Sequence, residues 1–213
     1  MNRIFYSFVV IASGIMFCLG SFSSVDAADQ PDPTEQLRPY VEEIISILSD
    51  SELQGVEKCT QRREKVMEVV SECFDFHEMS KRVLGKTWRK LSKDDQEHFV
   101  SLFAKLLEHA YIGKIEEYTD QKVVFKNQRI KGKRAQVSTD IIDKDTVIAM
   151  SYIMILKDNV WMVYDIVVEG VSLVRNYMEQ FKEILRKEGY ASLLKQVEDK
   201  VAELDQGIRK KTT

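Results

Sequence analysis

The stretch NVWMVYDIVVEGVSLVRNYMEQFKEILRKEGY, running from Asn159 to Tyr190, decides the fold. Trp161, Met162, Val163, Tyr164, Ile166, Val167 and Val168 are β-branched, aromatic or apolar almost without a break, which predicts a strand covered on both faces. Glu169-Gly170 ends it, because glycine adopts backbone angles that strand residues do not. Ser172 is placed to cap a helix. Val174, Tyr177, Met178, Phe181, Ile184 and Leu185 then recur at helical spacing as one apolar stripe. Gly189 stands where a helix C-terminus expects glycine. A buried strand therefore turns sharply into an amphipathic helix that must fold back over the sheet.

Working outward, Leu193, Leu194, Val197, Val201 and Leu204 mark one more helix downstream, followed by a basic tail that is expected to fray. Upstream, Asp158-Asn159 reads as a two-residue hairpin turn from an apolar strand at Val147 to Leu156. Ala135, Val137, Thr139 and Ile141 alternate with Gln136, Ser138 and Asp140, the pattern of a strand with one covered face. Lys131-Gly132-Lys133 turns back to a strand beginning at Lys122 to Phe125 and extending toward Ile130. Before the strands come helices. Thr34 is read as the cap of one carrying Leu37, Tyr40, Val41, Ile44, Ile45 and Leu48. A charged helix over about 57–72 follows. Asp75 with Glu78 forms a capping-box start for a short helix ending at Gly85. Ser92 opens the longest helix, with Asp94 and Asp95 in its first turn and a stripe through Phe99, Leu102, Phe103, Leu106 and Leu107. Helices, then a four-stranded antiparallel meander, then helices give an α+β fold.

The chain has 213 residues, 44% hydrophobic and 31% charged, the make-up of an ordinary globular protein of one domain. A net charge of −3 argues against a nucleic-acid binder. Arg3 precedes an apolar run from Ile4 to Gly20, and Val25-Asp26-Ala27 fits a signal-peptidase site, so residues 1–27 are read as a secretory signal cleaved near Ala27. The mature domain, 28–213, then divides into a helical part at 34–118, a sheet at 120–169 and C-terminal helices at 172–206. Cys59 and Cys73 flank a helical segment about 21 Å long at roughly 1.5 Å per residue, too far apart for a bridge, so two buried thiols are expected.

Catalytic signatures are weak. Gly85-Lys86-Thr87 resembles the end of a phosphate loop, but Ser80 stands where the first glycine belongs and a helix precedes it. His98 and His109 are three helical turns apart, and no Cys/His spacing suits a metal, so neither metal nor cofactor is expected. Gly170-Val171-Ser172 lacks the second glycine of a nucleophile elbow. Asp165 and Glu169 interrupt an apolar strand. They read either as a general base or as acids that satisfy backbone amides at the strand–helix corner.

Two runs carry a family resemblance. YDIVVEGVSLVRNYMEQF, Tyr164 to Phe181, resembles the signature of the MlaC, or toluene-tolerance auxiliary, family of periplasmic phospholipid-binding proteins. FDFHEMSKRVLGKTWRKLS, Phe74 to Ser92, is a second match in the right order. The resemblance implies an NTF2-like sheet with an apolar ligand cavity and a monomeric periplasmic carrier. That carrier would shuttle phospholipid between outer and inner membranes and maintain outer-membrane lipid asymmetry. The implied partners are diacyl phospholipid with weak head-group selectivity, an inner-membrane ABC transporter with an MCE ring, and an outer-membrane lipoprotein–porin complex.

Periodicity alone leaves three classes open: a lipid carrier, an NTF2-like enzyme using Asp165 or Glu169 on a small apolar substrate, and an adaptor with a filled core. For the carrier, hairpin register places Lys157 opposite Val160, Met154 opposite Val163 and Tyr152 opposite Asp165. The lining then comprises Tyr152, Met154, Val163 and Val167 with Val137 and Ile141, covered by Phe103, Leu107 and Tyr111. The opposite face, with Ile153, Ile155, Met162 and Tyr164, is the alternative, and one residue of register exchanges the two.

Overall fold

The structure is a computed structural model, and it describes residues 30–116, 121–144 and 146–211. The proposed signal, 1–27, lies outside these residues.

Helix α1 (Pro33–Ser49) starts at Asp32, whose carboxylate accepts from the Thr34 and Glu35 amides, so Asp32 and not Thr34 is the cap. Two short 3₁₀ turns lead into α2 (Cys59–Cys73). Cys59 and Cys73 thus stand at opposite ends of one helix, both buried and not joined in a disulfide. Helix α3 (Phe76–Leu84) begins at Asp75, which accepts from the Glu78 amide at 2.8 Å. The expected reciprocal half of the capping box is missing: the Asp75 amide donates to the Val163 carbonyl, and Glu78 turns instead to Lys81 and Arg82. Gly85 terminates α3 at φ 53°, which accounts for the Gly-Lys-Thr run as a helix end. Ser92 opens α4 (Lys93–Glu116) as expected, accepting from Asp95 N.

Strands β1 (Lys122–Lys131), β2 (Arg134–Asp143), β3 (Thr146–Lys157) and β4 (Val160–Val168) form the antiparallel meander. The sheet has five strands, not four. Glu169-Gly170, both at positive φ, makes a tight turn into β5 (Val171–Ser172), which pairs back on Val167 and Val168. The extra strand is only two residues long and merges with a helix cap, so no alternating pattern marks it. Helices α5 (Leu173–Lys187) and α6 (Tyr190–Lys211) complete the chain. The tail expected to fray from Gly207 continues as helix to Lys211.

The sheet separates two apolar layers. On one side Ile153, Ile155 and Tyr164 pack with α3 to α6, where Phe99, Phe103, Tyr177 and Phe181 stack or meet edge to face. On the other side Ala135, Val137, Tyr152, Met154, Leu156, Trp161 and Val163 pack beneath Leu37 and Val41 of α1. A third, smaller cluster of Leu48, Val66 and Ile112 joins α1, α2 and α4.

Candidate functional site

The register of β3 and β4 decides which side chains share a layer. Lys157 faces Val160 and Met154 faces Val163, as expected, but Ile153 faces Asp165 and Tyr152 faces Ile166. Tyr164 is the extra residue of a β-bulge. A bulge shifts the alternation by one residue beyond it and bends the strand. The expected pairing of Tyr152 with Asp165 is therefore wrong, and Val167, opposite Ser151, falls on the α5 side of the sheet, away from Tyr152 and Val163. Ile166 takes the place assigned to Val167 and packs with the α1-side cluster.

The bulge also sets two polar contacts. Tyr164 is turned under the Arg82 guanidinium, 3.9 Å from its ring centre. Asp165, buried, accepts from Ser172 Oγ at 2.5 Å and from the Val174 amide at 2.9 Å. Ser172 Oγ accepts from the Arg175 amide at 3.0 Å. The two side chains thereby serve two of the donor amides that every helix N-terminus leaves unsatisfied. Glu169 accepts from the Ala149 amide at 2.7 Å and sits in the exposed turn. Of the two readings of these acids, the geometry matches the structural one: each carboxylate satisfies a backbone amide at the corner.

The residues expected to line one cavity lie on opposite sides of the sheet. Val137, Tyr152, Met154 and Val163 lie together under α1, and Ile141, paired with Val123 and Ile148, extends the same face. Phe103, Leu107 and Tyr111 pack in the α3–α6 layer and do not cover that face. The sequence shows that α4 has an apolar stripe but not which side of the sheet it meets. The element that does cover the face is α1. Its start is tied to both margins of the sheet: Thr34 Oγ1 and the Thr34 amide donate to Gln128 on β1, and Gln36 exchanges hydrogen bonds with the Trp161 backbone on β4. Trp161 Nε1 donates to the Pro31 carbonyl at 2.6 Å.

Beyond the fully buried patch, this face continues through half-buried Val123, Phe125, Met150 and Ile166. Polar groups are few but hidden. Burial pushes the Tyr152 hydroxyl up to about 12, opposed by nearby Thr139 and reinforced by Cys73. Thr139 Oγ1 is buried and makes no well-formed hydrogen bond. Burial likewise raises the Cys73 thiol to about 12. No group of His, Cys, Asp and Glu suited to a metal occurs among the described residues. His77 packs edge-on to Trp88, and His98 lies 3.4 Å from Glu198.

Together these features define an α+β domain whose central sheet carries an apolar layer on each face, with its two conspicuous acids engaged by backbone amides, Asp165 at the start of α5 and Glu169 on β3. The chain belongs to the MlaC family: the family model described as MlaC protein matches residues 38–199. It is 26% identical over 128 residues to the intermembrane phospholipid transport system binding protein MlaC of Haemophilus influenzae. That match spans 57% of this chain and 60% of the relative. In fold it is similar to a phospholipid-binding protein from Ralstonia solanacearum solved in complex with a phospholipid. The TM-score is 0.74 at 22% identity, covering 82% of this chain and 99% of the other.

Proposed function

We propose that this protein is a periplasmic phospholipid carrier and that it holds acyl chains between α1 and the sheet. The observation that carries the reading is the family match over residues 38–199, and the apolar α1-side face supports it. A phospholipid in water exposes two acyl chains, each costing about 0.8 kcal/mol per CH₂ left unburied. A protein that covers the chains removes that cost, and a head group left at the mouth stays hydrated, so head-group selectivity is weak.

The α1 side is favoured over the α3–α6 side for a packing reason. The α3–α6 layer is closed by aromatic rings contacting one another. The α1 side is covered by one helix, through Leu37 and Val41. Val137, Ile141, Tyr152, Met154 and Val163 are the proposed lining, joined by Ile166. Loading and unloading then take place at an inner-membrane ABC transporter with an MCE ring and an outer-membrane lipoprotein–porin complex, which maintains lipid asymmetry. Catalysis plays no part, since the family's role is carriage. Solvent extraction and mass spectrometry of the purified protein test the carrier role. Diacyl phospholipid is expected, and finding none even after incubation with liposomes overturns it.

A further inference from the structure

Residues 81–93, KRVLGKTWRKLSK, hold six cations and no carboxylate in a chain of net charge −3. The structure folds four of them around one hollow: Lys81, Arg82, Lys86 and Arg89 line it, with Glu78, Gly85 and Trp88. Glu78 is its one acid, and it is already engaged. Arg82 Nη2 lies 2.8 Å from Glu78 Oε1, Lys81 Nζ 3.3 Å from Oε2, and Lys157 Nζ 4.0 Å from Oε2. Lys157 also pairs with Asp75. Around this network stand five cations and two carboxylates. Lys86 and Arg89, both exposed, make no ion pair among the described residues. Asp94 and Asp95 follow in sequence but do not line the hollow.

Excess positive charge held at one place on a negatively charged protein orients that protein in an external field. We propose that the Lys86–Arg89 hollow is a docking site for an anionic phospholipid membrane surface. The lining favours a bilayer over an acidic protein. A protein interface places apolar or aromatic anchors at its centre, whereas here Trp88 is buried in the floor and the accessible groups are long, flexible cations. Such side chains suit a diffuse layer of phosphates, where each basic residue adds to the attraction and salt weakens it. The proposal rests on the carrier reading only in that a carrier must reach a bilayer.

The test is co-sedimentation of the purified protein with vesicles of phosphatidylcholine doped with phosphatidylglycerol, against pure phosphatidylcholine, at low and high salt. Binding to the anionic vesicles alone, lost at high salt, is expected. Lys86→Glu with Arg89→Glu is expected to weaken it roughly thirtyfold or more, from the attraction of two basic residues. Lys195→Glu with Lys200→Glu, an equal charge change on α6 where both lysines are exposed, should leave it nearly unchanged. Equal binding to both vesicle types, binding to neither, or equal loss in both double variants overturns the proposal. Binding to neither would leave the hollow to an acidic protein surface. Extracted lipid is read separately, so a failed carrier reading and a failed docking site give different results.

Discussion

Cys73 and Tyr152 are neutral groups held out of water, and burial raises both titrations, from 9.0 to about 12 for the thiol and from 10.0 to about 12 for the hydroxyl. In the unfolded chain each loses its proton at its ordinary value, while in the folded protein it keeps it. Between those values the unfolded state binds fewer protons, so stability falls as pH rises. The contribution is fully present below about pH 9 and is lost by about pH 12. A raised group of this kind contributes on the order of a few kcal/mol. Urea unfolding followed from neutral to alkaline pH should show a steep decline across that window, and Cys73→Ala should make it shallower. An identical decline in the variant would mean that Cys73 does not stay protonated in the fold. That these residues are buried was legible for Cys73, which ends a helix. It was legible for the neighbouring Thr139 too, which alternates with Ser138 and Asp140 on the covered face of its strand and is buried there.

At the level of elements, what the sequence revealed and what it concealed have separate causes. Caps are local, so Asp75, Ser92 and Ser172 were readable from their neighbours, as were the positive-φ turns at Asp158-Asn159 and Glu169-Gly170. The bulge at Tyr164 was hidden because β4 is apolar on both faces. With no polar residue alternating through Trp161 to Val163, nothing in the pattern records a shift of phase. That one residue misplaced Val167 and the partner of Tyr152. The bulge brings Asp165 to the start of α5, where it accepts from Ser172 Oγ and Val174 N. Asp165→Asn keeps the shape but loses the charge and presents an amide to one donor. The expected loss is about 1–2 kcal/mol, the scale of a helix cap, measured by urea denaturation, with lipid per folded molecule unchanged. A small molecule turned over by the wild type in a pH-dependent way, and not by Asp165→Asn, would instead restore the general-base reading.

For the whole molecule the open question of function is which of two apolar layers opens. Val163 and Ile153 lie near each other on adjacent strands but on opposite faces: Val163 is fully buried in the α1-side cluster, and Ile153 is half-buried against the α3–α6 cluster. Tryptophan at either position adds a ring to a filled layer and should cost roughly 1–3 kcal/mol of stability in delipidated protein. Stability alone therefore does not distinguish them, but bound lipid does. If acyl chains displace α1 from the sheet, the Val163→Trp ring occupies their volume, and co-purifying phospholipid per folded molecule should fall severalfold. Ile153→Trp crowds the aromatic layer that stays shut, so its lipid content should match the wild type. Both rings are apolar, and no buried charge confuses the comparison, as it would with Val163→Glu. The reverse result, with lipid lost in Ile153→Trp and kept in Val163→Trp, would move the acyl site to the face of Phe103, Leu107 and Tyr111. Lipid lost equally from both would mean that the chains are held through the stability of the whole sheet, not within one layer.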